Sequence, residues 1–302
     1  MVKQMLTIFL IAMLGLIPAG CGMQKASGET VKTETTAKSA ATGSSQMAPK
    51  AQPAGAQKGT TDMKTTTYRI NGVDFKMILV EPGTFTMGSS DTHVEFSESP
   101  AHKVTLTKPY LIGETEVTEA LWNAVMGKSG GRSDLPKTSV TWPQCAAFAE
   151  RLTKKAREAG IIDSTVRFAL PTEAQWEFAA KGGNRSKGYR YAGSNSIDEV
   201  AVTRENSGSD SPIAVKTKQP NELGIYDMSG NAYEWVDAYA GRYSPEAQTD
   251  PVSHPSRKYV KRDGSNYHNF NSESYLFTTT GRYFYGSTDW TIGCRLALVY
   301  EQ

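Results

Sequence analysis

The chain has 302 residues, with 33 Lys or Arg against 31 Asp or Glu, a formal charge of +2 and a pI near 8.3. That balance offers no basic field for nucleic acid and no acidic character for metal storage. Three cysteines in a chain of this length exclude a disulfide-stapled miniprotein and a cysteine-rich zinc scaffold. Hydrophobic residues at 38% and charged ones at 21% are slightly sparse for a globular chain. A long polar segment diluting an ordinary domain produces that deficit.

Residues 1–20 read as a signal peptide. Lys3 supplies a positive start and Met5 to Ile17 is almost wholly apolar. As a helix this run spans about 20 Å, too short for a bilayer core of about 30 Å. Ala19 and Gly20 then lead into Cys21. The segment Ile17-Pro18-Ala19-Gly20-Cys21 resembles a bacterial lipobox, with Pro18 departing from the usual Leu. The resemblance implies that Cys21 is acylated and becomes the mature N-terminus, holding the protein on the envelope, at the outer-membrane surface, through a lipid anchor. The alternative is a plain secretory signal cut near Ala19. Residues 21–67 contain no aromatic residue and no apolar period, and are expected to form a flexible tether.

Residues 68–302 carry nearly all the aromatics and read as one α+β domain with a high loop fraction. Strands are expected at Tyr68 to Ile70, Phe75 to Val80, Gly83 to Met87 and Lys103 to Leu106. Three short helices follow. Thr118 caps the first, which carries Leu121, Trp122 and Val125 and stops at Gly127. Thr141 with Gln144 has capping-box spacing, ahead of Cys145, Phe148 and Leu152 on one face; Glu150 and Lys154 pair on the solvent side. Thr172 with Gln175 repeats the box, and Gly182 and Gly183 end that helix. Cys145, on an apolar face, reads as a small core residue. Beyond Gly183 the helical signals vanish, leaving irregular chain with short strands around apolar runs such as Ile213 to Val215.

Several motifs occur in order: Gly83 to Gly88, Glu98-Ser99-Pro100-Ala101-His102-Lys103-Val104, Glu116-Val117-Thr118, Leu170-Pro171-Thr172-Glu173-Ala174-Gln175-Trp176-Glu177, Gly224 to Trp235, and Gly293-Cys294-Arg295-Leu296-Ala297. Together they resemble the formylglycine-generating enzyme (sulfatase-modifying factor) family from about Met77 to Leu298. The resemblance implies a variant of the C-type lectin fold. Family oxidases hold Cu(I) through two nearby cysteines, and soft thiolates suit that metal. The corresponding segment, Gly264 to Glu273, has no cysteine, and Cys294 stands where the family has Phe. No copper and no catalysis are therefore expected. His268 reads as a surface polar group rather than a substitute copper ligand. Asp227, the carbonyls of Gly230 and Ala232, and Glu234 match the family's calcium pattern, and hard oxygen donors suit that ion. The other reading makes Asp227 and Glu234 hydrogen-bonded anchors without an ion.

Between Tyr267 and Thr291 the composition is that of an adaptable binding loop: Tyr with Ser, Asn and Gly, and no Lys, Gln or Met. The framework around it, residues 260–295, resembles the variable region of diversity-generating retroelement proteins, which display a hypervariable face on a C-type lectin scaffold. Their mutagenesis of adenines turns AAC codons into Tyr, His, Phe, Ser, Thr, Asp, Gly, Leu or Cys, never into Lys, Gln, Glu, Met or Trp. Within Tyr267 to Thr291 only Glu273 and Trp290 break that rule. The ligand-facing residues so implied are Asp263, Asn266, Tyr267, His268, Asn269, Phe270, Asn271, Ser272, Tyr275, Phe277, Tyr283, Phe284, Tyr285, Ser287, Asp289 and Trp290. The Tyr and Phe side chains from Tyr267 to Tyr285 are expected to be largely exposed on one face, while Trp235, Gly264, Gly293, Arg295 and Leu296 anchor the fold. The partner is an unidentified protein or glycan on another cell or surface, not nucleic acid. The competing readings are an oxidoreductase of the formylglycine or sulfoxide-synthase type and a structural envelope lipoprotein. The iron-binding helical domain usual in the synthases has no room in the tether.

Overall fold

Thr65–Ile70 (β1) and Val73–Val80 (β2) form the first hairpin, turning at Asn71 and Gly72, which both adopt positive φ. The structure is a computed structural model describing residues 65–91, 96–129, 133–239, 241–252, 258–268, 270–285 and 290–301, without the side chains of Phe96, Tyr239, Phe270, Ser272 and Tyr285. The leader, Cys21 and most of the tether lie outside the described residues. So do Asn269, Ser287 and Asp289. The domain starts earlier than its aromatics suggest: Thr65, Thr66 and Thr67 pair with Ile78, Met77 and Lys76, a place where β-branched residues fit.

Gly83–Met87 (β3), His102–Leu106 (β4) and Tyr110–Gly113 (β5) follow, then helices Glu119–Met126 (α1) and Trp142–Glu158 (α2). Thr118 caps α1 by accepting from the Leu121 amide, and Gly127 ends it at φ 73°. Thr141 and Gln144 form the expected capping box on α2. The solvent pair differs: Lys154 reaches Glu158 at 3.9 Å, one turn later than the Glu150 pairing expected. Trp122 of α1 stacks on Phe148 of α2 with centroids 4.7 Å apart, joining the helices. Val166–Ala169 (β6) leads into Glu173–Ala180 (α3), capped by Thr172 and Gln175, with Gly182 at φ 87° beyond it. Two one-turn helices, Ile197–Val200 (α4) and Arg204–Ser207 (α5), occupy the region where helical signals seemed absent. Ile213 to Val215 forms no strand. Its Ile213 and Val215 amides instead donate to Asn231 Oδ1 and the Asp134 carbonyl.

The remaining elements are Tyr233–Tyr239 (β7), Gln248–Thr249 (β8), Tyr259–Arg262 (β9), the short helix Phe270–Glu273 (α6), Arg282–Tyr285 (β10), Ile292–Cys294 (β11) and Ala297–Tyr300 (β12). Three sheets result, ordered β1-β2-β5-β12-β6, β10-β9-β7-β11 and β3-β4-β8. Strand β12 pairs with the central strand β5 and the edge strand β6 of the first sheet. The second sheet carries the candidate site, with β11 parallel to β7 and the other pairs antiparallel. Mixed short sheets, few helices and much irregular chain make this an α+β fold of the C-type lectin-like kind.

Candidate functional site

The register of β7, β9 and β10 divides their side chains by period two. Tyr283 lies opposite Lys261, and Arg282 opposite Arg262, which is itself opposite Glu234. Tyr233, Lys261 and Tyr283 therefore face one side of the sheet, and Glu234, Arg262 and Arg282 the other.

The buried side is an ionic frame. Arg262 donates to Glu173 Oε1 at 3.0 Å, to Glu177 Oε2 at 2.9 Å and to the Thr279 carbonyl at 2.7 Å. Arg282 forks onto both oxygens of Glu173, at 2.6 and 2.9 Å. Burial pushes the Glu173 carboxyl up, but Arg282 and Arg262 outweigh it and hold it below the usual range. At Glu177 burial is outweighed in the same way by Lys181 and Arg262. One helix, α3, thus grips β9, which leads into the variable-type stretch, and β10, which lies within it.

A second buried cluster gathers Glu116, Asp227, Glu234, Asp263 and Arg295. Arg295 Nη2 donates to Glu234 Oε1 at 2.8 Å, and Trp176 Nε1 donates to Glu234 Oε2 at 2.6 Å. Both oxygens of Glu234 are thus engaged by protein donors. In Asp227, Oδ2 accepts from the Lys216 amide, while Oδ1 is buried without a hydrogen-bond partner. Among the described residues no group of three or more His, Cys, Asp or Glu is placed to hold a metal ion. Burial, then the neighbouring Asp227, pushes the Glu116 carboxyl well up, and burial followed by Glu234 does the same to Asp263.

On the outward side, Tyr233, Lys261, Tyr267, His268, Tyr283, Phe284, Trp290 and Thr291 line a cleft of about 480 Å³. Lys261 Nζ sits 3.5 Å from the Tyr233 ring centre, an on-face cation–π contact. Tyr233 Oη and His268 Nε2 are 3.0 Å apart, and His268 Nδ1 lies 3.2 Å from Glu273 Oε2. The Tyr267 and Trp290 rings meet edge to face at 5.2 Å and remain 47% and 43% exposed, forming an apolar corner at the rim. No thiol lines this cleft: Cys145 and Cys294 lie in the core.

The structure thus brings Tyr267, His268, Tyr283 and Trp290 of the expected ligand set together. Phe284 borders the cleft but lies opposite Val260, on the Arg282 side, and packs against the inner core. Three others it buries. Asp263, at φ 70°, accepts from the Gly230 and Gly264 amides through Oδ1. Asn266 donates to the Ser209 and Ser211 carbonyls. Phe277 is wholly buried with Leu276, Tyr191 and Ile197, and a Cβ on Gly264 would come within 2.8 Å of its ring. These three hold loops together and do not reach the cleft. Tyr275 is half-buried against the same cluster, and Asn271 is exposed outside the cleft lining. Composition also missed Tyr233 and Lys261, since they lie in the framework strands; alternation along β7 and β9 was the available signal. The anchors behave as expected: Trp235 donates to the Val140 carbonyl at 2.8 Å, and a Cβ on Gly293 would meet the Lys137 carbonyl at 2.6 Å.

Comparison with known proteins places this geometry. The chain is 32% identical over 204 residues to the chaperone protein LppX of Paenibacillus barcinonensis, covering 53% of this chain and 70% of that one. It is 24% identical over 264 residues to the formylglycine-generating enzyme of Bos taurus, covering 68% and 70%. It also matches the serine/threonine-protein kinase pkn1 of Chlamydia pneumoniae at 27% over 194 residues, but spans only 28% of that protein's length. Among solved structures, Treponema denticola variable protein 1 superposes with a TM-score of 0.66 at 27% identity, covering 77% of this chain and 98% of that one. PvdO from Pseudomonas aeruginosa superposes at 0.59 with 23% identity, covering 75% and 94%, and supports the fold alone. Residues 69–298 match the sulfatase-modifying factor enzyme 1-like domain along its sequence pattern, and the chain belongs to that family.

Proposed function

We propose that this chain is a non-catalytic, surface-displayed binding protein that takes a macromolecular ligand, a protein or a glycan, in the cleft around Tyr267 and Trp290. One observation carries the reading: two large aromatic side chains stay exposed at the rim of a cleft whose supporting strands are fixed by buried Arg–carboxylate pairs. Rigid aromatics on a fixed platform give contact area at small entropic cost. The likeness to the Treponema variable protein supports a scaffold of this kind, as does the absence of cysteine from Gly264 to Glu273. A mouse relative named an inactive Cα-formylglycine-generating enzyme, 26% identical over 165 residues, shows that family membership does not carry the chemistry.

The reading includes a lipid anchor at Cys21, a tether that lifts the domain, and variation at the cleft. Metabolic labelling with a radioactive fatty acid marks the wild type and not Cys21→Ala if the anchor is real. The encoding locus is expected to hold a reverse transcriptase and a near-copy of codons 260 to 295. For binding, the full chain is offered to a glycan array and to arrayed surface proteins of co-resident bacteria. Signals lost in a Tyr267→Ser, Trp290→Ser double variant of unchanged Tm support the cleft. Signals equal in both proteins move the ligand elsewhere and overturn the reading.

A further inference from the structure

Among the described residues, five large apolar side chains stay exposed: Leu135, Val252, Tyr267, Trp290 and Tyr300. Tyr267 and Trp290 make the corner of the cleft. Val252, at 64%, and Tyr300, at 47%, both line a separate pocket of about 150 Å³ that shares no residue with the cleft. Its walls come from β6 and β12 of the first sheet and from Asp250-Pro251-Val252, the segment that follows β8. Exposed apolar side chains gathered at one opening mark a contact with another molecule, which singly scattered ones do not.

The polar groups of this pocket differ in what already satisfies them. Asp250 accepts from the Thr107 amide at 2.8 Å and from the Thr107 hydroxyl. Arg167 Nε lies 3.5 Å from Glu301 Oε2, and Tyr110 Oη donates to the Gln175 carbonyl at 2.6 Å. Asp237 is the exception. Its amide donates to the Pro171 carbonyl at 2.8 Å, which fixes this part of β7 beside Thr172. Its half-buried carboxylate has no hydrogen bond and no ion pair among the described residues. Burial pushes that carboxyl up, with Arg167 opposing, so the counter-charge is incomplete. Lys108 also lines the pocket, but it is exposed, where water and salt screen its charge.

A carboxylate drawn partly out of water, with apolar side chains around the opening, complements a cation carried on an aliphatic stem. The space suits a guest of one side chain, since a cavity of about 150 Å³ takes a benzene-sized body. A compact ammonium matches a single carboxylate, whereas a guanidinium is shaped for bidentate pairing. We propose that this pocket takes a lysine side chain of a partner polypeptide, with the ammonium on Asp237 and the methylenes against Val252 and Tyr300. A polypeptide rather than a free amine is the occupant, because the two exposed rim residues offer apolar area for the chain on either side of the lysine.

The test follows the backbone amides of the isotope-labelled full chain by NMR as an N-acetylated Gly-Lys-Gly amide peptide is added. Saturable shifts are expected at Asp237, Val252 and Tyr300 in the millimolar range, the strength of one ion pair with a small apolar contact. The same peptide acetylated on the lysine Nζ should bind about tenfold more weakly, and this arm needs no variant of the protein. Asp237→Asn should weaken the unmodified peptide by about the same factor, and Tyr300→Ser should weaken it severalfold. The Tyr267→Ser, Trp290→Ser double variant should bind it unchanged, which separates this pocket from the cleft. No saturable shift at Asp237, or equal binding of the acetylated peptide, overturns the proposal. Butylamine binding as tightly as the peptide assigns the pocket to free amines and overturns the polypeptide partner.

Discussion

Arg262 on β9 and Glu177 on α3 meet at 2.9 Å with both side chains wholly buried, so the strand leading into the cleft is pinned by a charge pair inside the protein. Removing one partner leaves the other charge uncompensated, which costs about 3–5 kcal/mol. Glu177→Gln is expected to destabilise the domain by that amount in denaturant unfolding. A combined Arg262→Leu, Glu177→Leu variant should recover part of the loss. A near-zero cost for Glu177→Gln would mean that Glu173 alone holds Arg262.

Stability should peak in mild acid. Glu116, Asp227 and Asp263 have carboxyl pKa values raised chiefly by burial, so their contribution is complete below their unfolded pKa and is lost as pH rises through the folded one. Glu173 and Glu177 are lowered, so theirs is present at neutral pH and is lost as pH falls through their folded pKa. The two trends place the maximum near the unfolded carboxylate pKa, at about pH 4. Scanning calorimetry should show a lower Tm at neutral pH, and Asp263→Asn, which keeps the Oδ1 acceptor, should flatten that difference. A Tm that rises steadily from acid to neutral pH would refute the assignment.

Calcium is a separate expectation for the same cluster, at Asp227, Glu234 and the carbonyls of Gly230 and Ala232, where Asp227 Oδ1 is buried without a hydrogen-bond partner. An ion bound only to the native state raises Tm as its concentration increases. The rise should be larger at neutral than at acid pH, because protons compete for the same oxygens, and Asp227→Ala should remove it. If a chelator leaves the wild-type Tm unmoved at neutral pH, the cluster is held by protons alone.

The binding residues and the packed residues of one stretch should separate under substitution. Tyr267→Ser and Trp290→Ser remove exposed rings and are expected to shift stability by less than about 1 kcal/mol. Phe277→Ala empties a wholly buried site and should cost about 3–5 kcal/mol. Equal costs at Tyr267 and Phe277 would show that the rim aromatics belong to the core.

Oxidation of a sulfatase-type cysteine peptide is expected to be undetectable with or without Cu(I). The segment Gly264 to Glu273 has no thiol, and Cys294 is buried in the core instead of lining the cleft. Turnover by the purified chain, read as aldehyde formation on the peptide, would restore the enzymatic reading.

Much of this fold was legible in local chemistry. Thr118, Thr141 and Thr172 declare their helices because a capping side chain acts within three residues of itself, and Gly127 and Gly182 end two of them by the same short-range logic. The ordered motifs likewise carry the family, since framework residues such as Trp235 and Arg295 keep their spacing. Exposure across the variable-type stretch was not legible. Tyr267 and Phe277 have the same composition around them, yet one stands at a rim and the other fills the space that Gly264 leaves open. Asp263 and Asn266 look like loop polars but satisfy backbone groups of distant loops. The pairing of Glu234 with Arg295 was equally hidden. Caps and turns are decided by neighbours in sequence, whereas burial and charge pairing depend on which distant segments the three sheets bring together.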